Sequence, residues 1–178
     1  MSSLARLAAL AALLSGAPLM AQPGDGAPVF GFAHTVPVES DMPIPPDAQF
    51  RVAFDVSAAA TPGEMNRTFN SAARFINMHV AAGVPLARIH VAIVVHGPAS
   101  WDVVRDDVYR ARRDGKANGS ADAVAQLLGH GVDIYLCGQA AAGQGIAKAD
   151  LIPGVKMALS AMTAHALLQQ QGYTLNPF

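Results

Sequence analysis

The sequence of 178 residues contains a single cysteine, Cys137. No intramolecular disulfide can form, so the stability of the fold has to come from a hydrophobic core. The thiol is then a packed apolar group, half of an intermolecular bridge or a reactive group. The sequence around Cys137 is needed to choose among these three roles.

Charged residues are also few. They make up 14% of the chain, and the 12 basic and 13 acidic side chains form no run of one sign. Such a chain lacks the positive surface that nucleic acid or an anionic membrane would bind, so we predict neither as a partner. Apolar residues account for 52% of the sequence, which at this length is typical of one globular domain.

Several motifs of well-known enzyme classes are absent. No Gly-x-Gly-x-x-Gly follows the first predicted strand, and the sequence has neither a phosphate-binding P-loop nor a Gly-x-Ser-x-Gly elbow. No two histidines have the His-Glu-x-x-His spacing of a metal site, and no Cys-x-x-Cys is present. We therefore predict no cofactor and no metal, although the chain has further histidines at positions 34, 79, 90, 130 and 165.

No apolar run is long enough for a transmembrane helix. Residues 1–21 instead have the pattern of a secretory signal peptide, in which a basic residue precedes a short apolar stretch that ends among small residues and proline: Arg6, 7–14, Gly16, Pro18 and Ala21. We expect cleavage near Ala21 and a periplasmic or secreted protein that is not attached to a membrane afterwards. The alternative is an uncleaved anchor.

Residues 22–48 contain six prolines and three glycines, a density that excludes a regular helix or a central strand. We interpret them as an extended leader. Its apolar pieces, 29–32 and 36–38, can dock on the domain or on a neighbouring subunit.

From residue 49 to residue 178, predicted strands and helices alternate. Strands are predicted over 50–56, 89–95, 132–137, 155–159 and 173–175. Helices are predicted from a capping box at Thr61, Pro62 and Glu64 to about Val80, over 100–113, over 120–128 with Ser120 as N-cap, and over 161–171. This alternation is typical of a doubly wound α/β domain with a mostly parallel five-stranded sheet.

Ligands and reactive groups of parallel sheets lie in the crevice outside the carboxyl ends of the strands. Three predicted strands end near 55–57, at His96-Gly97-Pro98 and at Cys137-Gly138. The sequence therefore predicts an imidazole and a thiol at the functional edge of the sheet.

These strand ends belong to an ordered set of residues that resembles the DsrE/DsrF-like family. The set covers residues 50–178 and comprises Phe54-Asp55-Val56, Asn70, Asn77, 94–98, 131–132, 136–138, 171–173 and Pro177. The resemblance implies a three-layer α/β/α subunit that assembles into trimers or hexamers. In some members it also implies a cysteine that carries persulfide sulfur between partner proteins, which here would be Cys137 with a sulfur donor or acceptor protein as partner. Gln144 stands where those relatives tend to have arginine, so a positive charge that would favour the thiolate is missing.

We predict Cys137 and His96 as the catalytic residues, with the thiolate stabilised by the start of the following helix and by His96. The predicted ligand pocket consists of Asn70, Gly97, Trp101 and Gly138. The alternative is a non-catalytic oligomeric protein that binds a small ligand or acts in assembly. In that case Cys137 and Trp101 only pack, and His96 bonds to the backbone.

Overall fold

The computed structural model describes residues 28–177, so the predicted signal segment and the first part of the leader, 22–27, lie outside the described residues. Five strands form one sheet in the order β4-β3-β2-β1-β5, and all four neighbouring pairs are parallel. The strands are β1 (Phe50–Val56), β2 (Ile89–Val95), β3 (Asp133–Cys137), β4 (Lys156–Ala158) and β5 (Thr174–Asn176).

Five α-helices accompany the sheet: α1 (Arg67–Ala81), α2 (Asp106–Arg112), α3 (Ala121–Gly129), α4 (Gly138–Gln144) and α5 (Ala161–Gln170). Three 3₁₀ segments lie at Leu86–Arg88, Gly97–Val103 and Lys148–Asp150. Among residues 28–177, no helix is both long and apolar enough to span a bilayer.

Successive side chains of a strand point to opposite faces of the sheet, and here they form two cores. The larger core, on what we call the α1 face, joins α1 and α3 to Val52, Phe54, Val56, Ile93, Val95, Ile134 and Leu136. The smaller core, on the α5 face, joins Ala164 and Leu168 of α5 to Ala53, Ala92 and Val94. Helices on both faces confirm the predicted three-layer α/β/α fold, and the sheet of the described residues is parallel throughout.

The predicted start of the first helix is wrong. α1 begins at Arg67, and its N-cap is Asn66, whose side-chain oxygen accepts from the Thr68 amide at 2.9 Å. Thr61 and Glu64 form a turn instead, closed by a 2.8 Å bond from the Glu64 amide to the Thr61 carbonyl. Asn66 is favoured as the cap because its own backbone amide also donates to the Ser120 hydroxyl oxygen at 2.9 Å. Ser120 holds the N-cap position of α3, but its hydroxyl therefore caps no helix.

The single helix predicted over 100–113 is also wrong. The 3₁₀ segment ends at Val103, and Val104 is extended and pairs with Leu151 in an antiparallel bridge. The Arg105 amide donates to the Asp150 carbonyl at 2.8 Å. These long-range backbone bonds interrupt the predicted helix. They cannot be predicted from the local sequence, because their partners lie more than 40 residues away.

Residues 28–49 contain no helix or strand. Phe30 is fully buried in the core of the α1 face, and its ring packs edge-on against the ring of His130. Asn77 of α1 accepts from the Phe30 amide at 3.0 Å and donates to the carbonyls of Phe30 and Ala33 at 2.9 and 2.8 Å. This part of the leader is therefore held on the domain by a buried side-chain amide.

Candidate functional site

The carboxyl ends of β1, β2 and β3 lie side by side. Val56 pairs with Val95, and Val95 pairs with Leu136. The next residues in register are His96 and Cys137, on strands that are about 4.8 Å apart. The His96 amide also donates to the Val56 carbonyl at 2.9 Å, which keeps the histidine in line with the sheet.

The alternation along each strand determines the face on which these side chains lie. Asp55 comes two residues after Ala53, His96 two after Val94 and Cys137 two after Tyr135, and Ala53, Val94 and Tyr135 all pack in the α5-face core. The carboxylate, the imidazole and the thiol therefore belong to the α5 face, at the edge where ligands of such sheets bind.

Asp55 is the centre of a hydrogen-bonded cluster with two histidines. Nε2 of His96 lies 3.2 and 3.1 Å from its two carboxylate oxygens, and Nε2 of His165, on α5, lies 2.7 Å from Oδ1. The side chains of Asp55 and His96 are each 32% exposed, and that of His165 is 15% exposed. The two side chains at the strand ends are thus partly exposed, and the histidine on α5 is more deeply buried.

The charge of Asp55 follows from these contacts. Burial acts to raise the pKa of Asp55, but the hydrogen bonds and electrostatic attraction of His96 and His165 outweigh it, so the pKa is lowered from its ordinary value. An ionised carboxylate only accepts hydrogen bonds, so both Nε2 atoms must donate. A neutral imidazole that donates through Nε2 carries its lone pair on Nδ1.

Nδ1 of His165 is buried and has no hydrogen-bond partner among the described residues. Within the same part of the chain, no three histidine, cysteine or acidic side chains are arranged to hold a metal ion. The contacts that join Asp55, His96 and His165 are hydrogen bonds.

Cys137 stands at the junction of β3 and α4, where the strand passes directly into the helix. It is the N-cap of α4, it is 7% exposed, and its thiol makes no hydrogen bond to any of residues 28–177. Gly138 follows because the backbone of the β4 end is too close for a side chain: a Cβ there would lie 2.6 Å from the Ala158 carbonyl oxygen. The predicted pocket residue Gly138 is thus part of the support of Cys137.

Gly97 lies next to His96 and has a positive φ of 55°. Its carbonyl accepts from Nε2 of Gln144 at 2.8 Å. Gln144 therefore ties α4 to the segment after His96 and, as an uncharged side chain, brings no charge to the thiol.

Two other predicted pocket residues are not part of this cluster. Asn70 lies on α1, across the sheet from His165, and its amide donates to the Phe32 carbonyl of the leader at 3.3 Å. Trp101 packs its half-buried ring under the guanidinium groups of Arg112 and Arg113, at 5.6 and 5.7 Å.

Sequence reasoning did not select Asp55 and His165. Asp55 did carry a usable signal, because it is an acidic residue near the end of an apolar strand and has the same parity as the buried Ala53. His165 had none, because it reaches Asp55 only through the packing of α5 on the sheet.

The fold and the edge residues define a class of protein, a three-layer α/β/α domain with a cysteine and a histidine at the carboxyl edge of its sheet. The family model described as the DsrE/DsrF-like family matches residues 51–177, and the chain belongs to that family.

Solved structures agree at the level of the fold. The chain is similar to the YchN protein from E. coli, with 17% sequence identity and a TM-score of 0.54, and to MTH1491 from Methanobacterium thermoautotrophicum, a protein of unknown function, with 18% identity and a TM-score of 0.52. Each match covers 73% of this chain and 100% of the other. No curated protein matches the sequence.

Proposed function

We propose that this protein is a sulfur carrier in which Cys137 accepts a persulfide sulfur and passes it on. Membership of the DsrE/DsrF-like family, which is linked to sulfur relay, supports this class of function. The observation that supports the proposal is the pairing of Val95 with Leu136, because His96 and Cys137 are the next residues after this pair on adjacent parallel strands. A thiol needs a nearby proton acceptor to become the thiolate that attacks sulfur.

The proposed transfer is an exchange at sulfur. The Cys137 thiol gives its proton to His96, and the thiolate attacks the terminal sulfur of a donor persulfide, R–S–SH. The new S–S bond forms as the donor S–S bond breaks, and the electron pair of the broken bond leaves with the donor as R–S⁻. The proton held by His96 then neutralises the leaving thiolate, so no external oxidant or reductant is required.

The burial of Cys137 restricts what can deliver the sulfur. At 7% exposure, the thiol is open to a small group and closed to a broad protein surface. A terminal persulfide sulfur is the small end of its donor, whether that donor is a small molecule or a cysteine side chain of a partner protein.

Mass spectrometry of the intact protein tests the proposal. After incubation with cysteine persulfide, the chain should gain the mass of one sulfur atom at Cys137, and a second thiol should remove it. The Cys137→Ser variant is the control. Equal gain by the two proteins, or no gain by either under conditions where free cysteine thiols react, would overturn the proposal.

A second candidate function, a non-catalytic oligomeric binding or assembly protein, is favoured by a different observation. An apolar cavity of about 310 Å³ lies between β4 and α5 and is lined in part by Leu159 and Leu167. These two side chains are 72% and 51% exposed, and Met162 of α5 is 79% exposed. We propose that a second copy of the chain covers this surface in a trimer or hexamer. Light scattering should give a mass of several subunits for the wild type and a lower mass for Met162→Lys, whereas Met78→Lys on α1 should not differ from the wild type.

We also propose that the protein is exported. The signal-like pattern of residues 1–21 motivates this, and those residues lie outside the described part of the chain. Cell fractionation after expression of the full chain should find a product shortened by about 21 residues outside the cytoplasm. A full-length product in the cytoplasm would contradict export.

A further inference from the structure

We infer that Asp55 and His165 are positioning residues that hold His96 as the proton acceptor for the Cys137 thiol. The inference rests on the proposed function, because it assigns two further residues to the same site. It is carried by the hydrogen bonds that join the three side chains and by the register that places Cys137 next to His96.

The contact with Asp55 determines the tautomer of His96. Its Nε2 lies within 3.2 Å of both oxygens of the Asp55 carboxylate, and an anionic carboxylate accepts only from an N–H. The proton of neutral His96 is therefore on Nε2, and Nδ1 carries the lone pair. Both contacts of the ring with Asp55 use Nε2, and the side chain makes no capping bond to the segment that follows, so Nδ1 is available to accept a proton.

His96 lies between Asp55 and Cys137 across the sheet. β2 lies between β1 and β3, so Asp55 and Cys137 flank His96 from opposite sides. The ring is tied through Nε2 to Asp55 on the β1 side, while the thiol on the β3 side makes no hydrogen bond to the described residues and can turn towards the ring. This is the order of groups in enzymes where an acid orients a histidine that deprotonates a nucleophile.

His165 holds the carboxylate of Asp55 in place. It donates to Oδ1 of Asp55 at 2.7 Å, the shortest of the three contacts, from a helix that packs on β2 and β3. A carboxylate on an exposed strand end would rotate, and a bond from the 15% exposed His165 fixes its plane. A well-packed neighbour that locks the orientation of a functional group is what precise geometry requires.

The imidazole ¹⁵N chemical shifts of the wild-type protein test the tautomer directly. In the neutral imidazole of His96, we expect the N–H at Nε2 and a bare Nδ1. A bare Nε2 in the wild type would overturn the inference without any variant having to fold.

A double-mutant cycle tests whether Asp55 acts through His96. The measured quantity is the rate of alkylation of Cys137 by iodoacetamide as a function of pH. We expect His96→Gln and Asp55→Asn each to slow the reaction near pH 7 by at least about tenfold, and the double variant to be no slower than His96→Gln alone. Additive losses would show that Asp55 does not work through His96 and would overturn the inference.

Matched variants test His165. Gln can place an amide N–H near the position of Nε2, whereas Leu cannot donate, so His165→Gln should keep most of the wild-type rate and His165→Leu should approach the Asp55→Asn rate. His90→Leu is the control, since His90 lies near the amino end of β2, whereas His96 follows its carboxyl end. Equal rates for His165→Leu and the wild type would remove His165 from the role.

The two proposals can fail separately. If alkylation depends on Asp55 and His96 as described but Cys137 accepts no sulfur from cysteine persulfide, the sulfur-carrier function is wrong and the positioning device stands. If Cys137 accepts sulfur and the alkylation rates of the variants equal the wild-type rate, the function stands and the positioning device is wrong.

Discussion

The Asp55 carboxylate lies 2.7 Å from Nε2 of His165, although the two residues are 110 positions apart in the chain. The contact connects the end of a central strand to a helix near the carboxyl end of the sequence. It gives Asp55 two histidine partners, His96 on the neighbouring strand and His165 above it. The electrostatics of the site follow from this pair of contacts.

The first prediction concerns the acid stability of the protein. Because the folded pKa of Asp55 lies below the value of about 3.9 in an unfolded chain, its ionised form stabilises the fold above that pH, and this contribution is lost as the pH falls through the folded pKa. Asp55→Asn lacks the contribution. The excess stability of the wild type over Asp55→Asn, measured by urea unfolding, should therefore be largest above about pH 5 and should shrink towards pH 3. A difference that is constant over this range would contradict the assignment.

The second prediction has the opposite sign. Asp102 is 1% exposed, and burial raises its pKa although the bonds from the Asn66 side chain and the Ala60 amide, at 2.7 and 2.9 Å, partly offset the effect. Its stabilising contribution is complete below the unfolded pKa and is lost as the pH rises through the folded pKa. Asp102→Asn, which can keep both bonds through its carbonyl oxygen, should gain stability relative to the wild type between about pH 3.5 and pH 7.

Urea unfolding of the same three proteins over one pH series checks both predictions together. Asp55 and Asp102 should produce slopes of opposite sign in the difference curves. The exposed acidic residues are common to all three proteins, so their contributions cancel in the differences. Slopes of the same sign would show that one of the two pKa directions is wrong.

The sequence contained most of the fold. Strands β1, β2 and β3 are apolar runs with recognisable ends, and their parallel pairing follows from the helices between them. The ends of the predicted strands then located Cys137 and His96 at one edge of the sheet. These signals are local in the chain or carried by short motifs, which is why they could be interpreted without coordinates.

The remainder depended on tertiary contacts. The N-cap of α1 is Asn66 rather than Thr61 because Asn66 donates hydrogen bonds to Asp102 and Ser120, which are 36 and 54 residues away in the chain. His165 joins the site because α5 packs over the α5 face, and the α5 sequence has no motif that marks one histidine. Long-range contacts therefore determine both the N-cap of α1 and the presence of His165 in the site. A short segment of sequence carries no information about such contacts.

The third prediction concerns the anchor of the leader. Asn77 is 3% exposed and makes three hydrogen bonds to the backbone at Phe30 and Ala33. Asn77→Ala leaves those backbone groups without their partners, so we expect a loss of about 2–4 kcal/mol in the free energy of unfolding. The amide of Phe30 should also lose its protection from hydrogen exchange, because the leader is released.

Asn70→Ala is the matched control for this anchor. It removes one bond to the leader, at 3.3 Å, from the same helix. Its expected cost is below about 1 kcal/mol, with the protection of the Phe30 amide retained. Equal effects of the two substitutions would show that Asn77 does not anchor the leader.

The last prediction concerns the junction that carries Cys137. A Cβ at position 138 would lie 2.6 Å from the carbonyl oxygen of Ala158 and 3.2 Å from that of Leu159, and both atoms belong to the backbone. Gly138→Ala must therefore push β4 away from the β3 end or move Cys137 itself. We expect a loss of at least about 2 kcal/mol in the free energy of unfolding, together with faster alkylation of Cys137 as its cover opens.

Gly143→Ala on the same helix separates this clash from the ordinary effect of adding a methyl group. A Cβ there meets nothing within 4 Å, and alanine favours a helix by up to about 1 kcal/mol over glycine. We therefore expect Gly143→Ala to unfold at the same or a higher urea concentration than the wild type, with the alkylation rate unchanged. If Gly138→Ala behaved in the same way, the close approach of β4 to the Cys137 junction would not exist in solution, and the burial of the thiol would need another cause.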